Sequence, residues 1–197
     1  MKFFACSLWL PCCLRKANKG LEMNRRRTLP TSRPVSAGVL LYKRSSNEGG
    51  SSSKAVRYLL GMIPQRNFWT VFKGMPESSA NESLEETALR EFEEETGTKG
   101  IVKAIRPETT LRGSTAKKDL VVFLQEGSAV SEDDFDLEQV VKIDQGYMEG
   151  QPEIVTIRWL TLEEATSGTD GAKIYPSQKG ILEQAQTFLE QQDRGEL

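Results

Sequence analysis

One stretch of this chain limits the fold more than any other. Residues 82–97 are rich in Glu, Leu, Ala and Arg, with no internal Gly or Pro, and Gly97 stands where a helix would be capped. On a wheel of about 100° per residue with Leu84 at zero, Ala88, Phe92 and Leu89 fall on one arc, from roughly 40° to 140°. The glutamates divide around that arc. Glu86 and Glu93 point away from it and read as solvated charges. Glu91, Glu94 and Glu95, at i, i+3 and i+4, sit at its margin. Like charges at that spacing repel, the more so when partly buried. A divalent cation would reverse the sign of the interaction, and clustered hard oxygen donors suit Mg²⁺ or Mn²⁺. Taken alone, a Glu-x-x-Glu-Glu string is also what a glutamate-rich surface helix looks like.

The chemistry open to the chain is narrowed by what it lacks. It has no histidine, which excludes Ser-His-Asp and Cys-His nucleophile systems and His-ligated zinc. Its cysteines are Cys6, Cys12 and Cys13, so neither disulfides nor a four-cysteine metal site supports the body. No apolar run is long enough to span a bilayer. Residues 1–34 carry net +7 against −2 for the whole, leaving −9 for the rest. A basic head on an acidic body points to a separate segment. We therefore divide the chain into a basic extension (1–34), one folded domain (35–192) and a tail (193–197). Residues 3–14 are apolar and basic residues follow, a pattern that fits a mitochondrial presequence, a secretory signal, or an extension with Met23 as an alternative start. The expectation adopted is mitochondrial, with a cytoplasmic protein as the alternative. The basic segment also offers phosphate contacts to RNA.

Along the body, residues 37–42 and 56–62 read as strands separated by a Ser/Gly/Asn loop. Residues 68–72 form a short apolar segment. Further strands are expected at 101–106, 120–124 and 154–160, a solvated acidic loop at 126–152, and a short helix at 161–165. Ile181, Leu182, Ala185, Phe188 and Leu189 mark one face of a last helix. This mixture implies a single α/β (α+β) domain with helices packed on a sheet.

Arg90-Glu91-Phe92-Glu93-Glu94-Glu95-Thr96-Gly97, with Glu82 eight positions before Arg90 and Gly74 before that, resembles the Nudix box. Two features depart from it. The Gly74-to-Glu82 spacing is longer by two residues, and Thr98 replaces the usual aliphatic residue. Residues 36–42 and 152–165 resemble the family's first strand and its closing strand and helix, so the resemblance covers about 36–190.

The resemblance implies a mixed sheet between helices and a Mg²⁺- or Mn²⁺-dependent pyrophosphohydrolase. Its substrate would be a nucleoside diphosphate derivative, such as a dinucleoside polyphosphate. The alternative is a Nudix-fold binding module with little or no hydrolysis. Carried over by position, Glu91, Glu94, Glu95 and the Gly74 carbonyl would hold the metal. Arg90 would orient a glutamate and pair with Glu82. Glu94, Glu95 and Arg90 would form the catalytic set, with Glu153 as the outside choice of general base; a box glutamate or an acid in 126–152 are the alternatives. Lys73, and Lys118 beside Lys117, would meet phosphates, or else be solvated. Trp69 or Tyr147 would stack on a base, or Trp69 would be core. A diphosphoinositol phosphate would call for a denser basic pocket, of which a body at −9 gives no sign.

Overall fold

Residues 36–42 of β1 (Val35–Ser45) are buried without a break, and the strand organises the sheet. Alternate side chains pass to opposite faces. Leu40 and Tyr42 enter one apolar cluster, while Ala37, Val39 and Leu41 enter another. A strand covered on both faces reads as a continuous hydrophobic run, which is how 37–42 reads. The computed structural model describes residues 33–45, 55–64, 66–77, 81–144, 149–168 and 171–196. The apolar stretch 3–14 and the basic segment 15–33 up to Ser32 therefore lie outside the described residues, as does Tyr147.

Eight strands form one mixed sheet. The others are β2 (Ala55–Ile63), β3 (Phe68–Thr70), β4 (Phe72–Gly74), β5 (Thr109–Ser114), β6 (Asp119–Glu126), β7 (Thr156–Leu160) and β8 (Lys173–Ile174). The β1–β6 and β3–β8 pairs are parallel and the rest antiparallel. The β1–β2 pair diverges part-way. Tyr42–Ser45 of β1 pairs with β2, but Ala37–Val39 pairs with β4. On β2, residues Gly61–Ile63 pair with β3. Val71 lies between β3 and β4, so the chain crosses from one parted strand to the other at that residue.

Helices cover both faces. Against one lie α2 (Leu162–Ser167) and α3 (Lys179–Asp193), through Ala165, Ile181, Leu182, Ala185 and Leu189. Against the other lies α1 (Leu84–Thr96), through Ala88 and Phe92. Phe92 meets Phe72 of β4 edge to face, centroids 5.2 Å apart. Such a pair adds about 0.5–1.5 kcal/mol beyond its area burial, and it ties the helix to the strand that ends at Gly74.

Four expectations need correction. The helix expected at 82–97 runs 84–96, because Ser83 caps it with a reciprocal bond to Glu86 and Gly97 ends it in a left-handed turn. Residues 101–106 are irregular, and the strand is β5 at 109–114. Ile101, Val102 and Ile105 pack on the α1 side of the core without a period of two, whereas Leu111 is the only buried residue of β5. Burial and strand pairing are thus uncoupled there. The closing strand starts at Thr156 rather than Ile154. The acidic loop is docked rather than merely solvated. It contains two short 3-10 turns, buries Val140, and Glu132 accepts a hydrogen bond from Trp159 N at 2.7 Å.

Candidate active site

The junction of β4 and α1 brings the box residues together. Glu95 is buried, at 5% exposure, and its carboxylate accepts the Lys73 backbone N–H at 2.7 Å. The last turn of α1 is thus latched to β4. Glu91 lies against Gly74 so closely that a Cβ on Gly74 would fall 1.9–2.0 Å from the Glu91 carboxylate. Only glycine leaves room for that carboxylate beside the backbone. Thr96 is buried and its hydroxyl donates to Phe92 O at 2.6 Å.

Arg90 is the hub of an ion-pair network. Its Nε donates to Glu82 at 2.9 Å, and Nη1 reaches Glu91 at 2.9 Å and Glu94 at 2.8 Å. Nη2 donates to Met75 O at 2.9 Å. Glu82 in turn accepts from Glu77 N at 3.1 Å and from the Thr87 hydroxyl at 3.0 Å. The Gly74-to-Glu82 loop, longer than the box resemblance implies, is therefore fastened at Met75 and Glu77 to the same pair. The Arg90 hydrogen bond holds the Glu82 carboxyl down at about 2. Glu86 and Glu93 are not idle charges on the outer face. Glu86 closes the capping box, and Glu93 accepts from Gly100 N at 2.9 Å. Thr98 Oγ1 accepts from Asp136 N at 2.8 Å, and Val141 N donates to Glu94 O at 3.0 Å. These two bonds hold the acidic loop against the end of α1.

Three carboxyls here are short of compensation. Burial pushes Glu95 up to about 8, opposed by Lys73 and reinforced by Glu153 and Glu91. Burial also raises Glu91, against the pull of Arg90, with Glu94 and Glu153 adding to the rise. Glu153 is half-buried three residues before β7 and is raised by burial, with Lys73 opposing and Glu94 and Asp144 reinforcing. Its backbone N–H donates to Val141 O at 3.1 Å. The mutual influence of Glu153, Glu91 and Glu95 places Glu153 in the same field as the box. Among the described residues no three acidic side chains converge as a ready-made cage. The test of fit is donor chemistry. Hard, partly buried and mutually repelling carboxylates beside an unhindered glycine backbone suit a hard divalent cation.

Lys73 reaches the field of Glu95 and Glu153. Lys118 is partly buried and its ammonium is pulled down, first by burial and then by Lys73. Both lysines line one cavity, together with Arg66 and Lys117. Net charge said nothing of that local concentration. Trp69 needs correction as a base-stacking residue. It is 1% exposed, inside the α2/α3 cluster, and no face of its ring is open to a ligand. Sequence reasoning missed Gln178. Buried at the start of α3, its side-chain oxygen accepts the Val71 N–H at 2.7 Å, and so fixes the corner that leads into β4. A lone glutamine carries no periodic or motif signal. Arg66, in a turn, carried none either.

The family profile of the NUDIX domain matches residues 33–181. The chain belongs to the Nudix family. This Nudix domain covers the sheet, α1 and the start of α3, and the family is one of hydrolases. Among solved structures, a C. elegans Ap4A hydrolase in a binary complex is similar at 20% identity, with a TM-score of 0.53, over 80% of this chain and 98% of that one. A putative NUDIX hydrolase of Listeria monocytogenes is similar at 15% identity, with a TM-score of 0.50, over 82% and 97%. At such identities the likeness establishes the shared fold: a mixed eight-stranded sheet between helices in one domain. No curated protein sequence matches the chain.

Proposed function

We propose that this Nudix protein is a metal-dependent pyrophosphohydrolase that cleaves a diphosphate linkage in a nucleoside diphosphate derivative. The observation that carries the reading is the placement of two box carboxyls at the end of β4, Glu95 on the Lys73 N–H and Glu91 against Gly74, with Glu153 in the same electrostatic field. Such perturbed groups gather at functional sites. Mg²⁺ or Mn²⁺ would be held by Glu91, Glu94, Glu95 and the Gly74 carbonyl, and when bound supplies charge neutralisation on the phosphates.

The chain's own residues do the rest. Glu153 takes the proton of the attacking water as its oxygen bonds to phosphorus and the bridging P–O bond breaks. Burial makes this carboxylate a better base than an exposed one at neutral pH. Lys73 meets phosphate oxygens through its ammonium. Arg90 is a positioning residue: its fork holds Glu91 and Glu94 while Glu82 holds the fork. The basic, acid-poor head supports delivery to mitochondria as part of the same proposal.

The test is Mg²⁺-dependent release of a mononucleotide from a panel of nucleotide-linked diphosphates. Glu153→Gln should lower kcat by about 10²–10⁴-fold, with a far smaller change in metal affinity. A loss below about threefold moves the base role elsewhere, and an equal weakening of Mg²⁺ binding makes Glu153 a ligand.

A further inference from the structure

The chain departs from the box at Thr98, where the family pattern has an aliphatic residue. Thr98 lies where the acidic loop meets the end of α1. Gly97 ends the helix in a left-handed turn, and Asp136 O of the loop leaves no room there for a Cβ. The loop backbone thus rests on the helix cap itself. Beside that contact the Thr98 hydroxyl accepts the Asp136 N–H at 2.8 Å. An aliphatic side chain has no atom that can accept it. Apolar contacts complete the seat. Phe135 meets Phe92 edge to face, centroids 6.3 Å apart, and Val140 is buried in the same cluster.

From this seat the chain runs out and back. Val141 N donates to Glu94 O at 3.0 Å. That carbonyl belongs to the last turn of α1, where carbonyls have no partner within the helix. Val141 O accepts from Glu153 N at 3.1 Å. Ile143 N donates to Gln151 O and Gly150 N to Ile143 O, each at 2.8 Å, and Lys142 opposes Pro152 in antiparallel fashion. Residues 141–143 and 150–153 are therefore the two legs of an arm. Val141 joins its ends: its N–H holds the helix that carries the box carboxylates, and its carbonyl holds Glu153. The Glu153 carboxyl lies in the field of Glu94.

Resting on the reading of Glu153 as general base, we infer that Thr98 is a positioning residue for Glu153. Its hydroxyl seats the arm on α1, and the arm sets where Glu153 stands relative to the carboxylates of the helix. Those carboxylates are held by other means. Arg90 pairs with Glu91 and Glu94, and the Lys73 N–H holds Glu95. Loosening the seat therefore impairs proton transfer and spares metal binding. The penalty is steep for a small displacement, since about 1 Å of misplacement can cost about 10²-fold.

Thr98→Val replaces the hydroxyl by a methyl group at nearly constant volume, so the full chain should keep its fold and melting temperature. Thr98→Ser keeps the hydroxyl. Amide exchange followed residue by residue by NMR, without metal or substrate, should be about fivefold faster in Thr98→Val at Val141 and Glu153, the weight of one net hydrogen bond on opening of the arm. With Mg²⁺ and the best substrate of the nucleotide panel, kcat should fall at least about fivefold, while KM and the calorimetric Mg²⁺ affinity stay unchanged. Thr98→Ser should restore both the exchange and kcat. In a Glu153→Gln background Thr98→Val should lower kcat no further, because a residue that acts through another then has nothing to act on. Faster exchange confined to Asp136, an unchanged kcat, or an equal loss in both backgrounds overturns the inference and leaves the hydrolase reading standing. Faster exchange at Val141 and Glu153 in a protein that hydrolyses nothing upholds the seating of Glu153 by Thr98 and removes the hydrolase reading.

Discussion

At the scale of the residue, Arg90 and Glu82 show how one ion pair serves a site that neither group forms. The Glu82 carboxyl lies at about 2 against an ordinary 4.5, chiefly because Arg90 hydrogen-bonds to its charged form. A carboxylate depressed on folding contributes stability that is present above its unfolded value and lost as pH falls through its folded one. Wild type should therefore be more stable than Glu82→Gln at pH 7. The gap should close between pH 4.5 and about 2, and melting temperatures of the two proteins across that window measure it. A gap that persists unchanged at the acid end would mean that the charge is not what Glu82 contributes. The pair itself was an expectation of the family resemblance, in which Glu82 stands eight positions before Arg90. The bond from Lys73 N to Glu95 was not legible, because no local pattern says which carboxylate a distant strand end will reach.

At the scale of the element, the site is a joint between β4 and α1. Phe72 and Phe92 fasten it through their rings, and the buried Glu95 carboxylate fastens it again at the Lys73 N–H, next to Gly74. Gly74→Ala puts a methyl group where the Glu91 carboxylate lies. The obstacle is the end of a flexible side chain, so Glu91 moves and the fold stays. The expected outcome is a small change in melting temperature with Mg²⁺ binding weakened at least about tenfold, read by calorimetry on the purified variant; a carboxylate pushed off its seat loses the geometry that a small hard ion demands. Unchanged Mg²⁺ affinity would remove Gly74 and Glu91 from the metal site. The helix, its Gly97 cap and the alternation of β1 were legible because each follows from a local period or cap. The irregular 101–106 segment and β5 were not. An edge strand with one buried side chain gives no period to read, and three isolated apolar residues that pack without pairing imitate a strand.

For the whole molecule, the compact unit runs from Arg33 onward, and Arg33 itself reaches Asp119 at 3.4 Å and Thr115 O. A protein beginning at Arg33 should fold with the melting temperature of the full chain and keep its hydrolytic rate. The first 32 residues, fused to a fluorescent reporter, should direct it to mitochondria. Loss of folding on truncation would place the head inside the core, and a diffuse reporter would remove the address. The basic cavity belongs to this scale too. Its cations come from the β2–β3 turn, β4 and the β5–β6 turn, and only the tertiary fold sums them, so a body at −9 hides it. The central claim is that the i, i+3, i+4 carboxylates of α1 perform metal-dependent hydrolysis. Its most direct test is turnover against Mg²⁺ concentration for wild type, Glu94→Gln and Glu95→Gln. Both variants should fold, since Glu94 is partly exposed and glutamine is nearly isosteric with it, and Glu95→Gln keeps an oxygen to accept the Lys73 N–H. Each should lose turnover by orders of magnitude at every Mg²⁺ concentration, and wild-type turnover in both at saturating Mg²⁺ would contradict the claim.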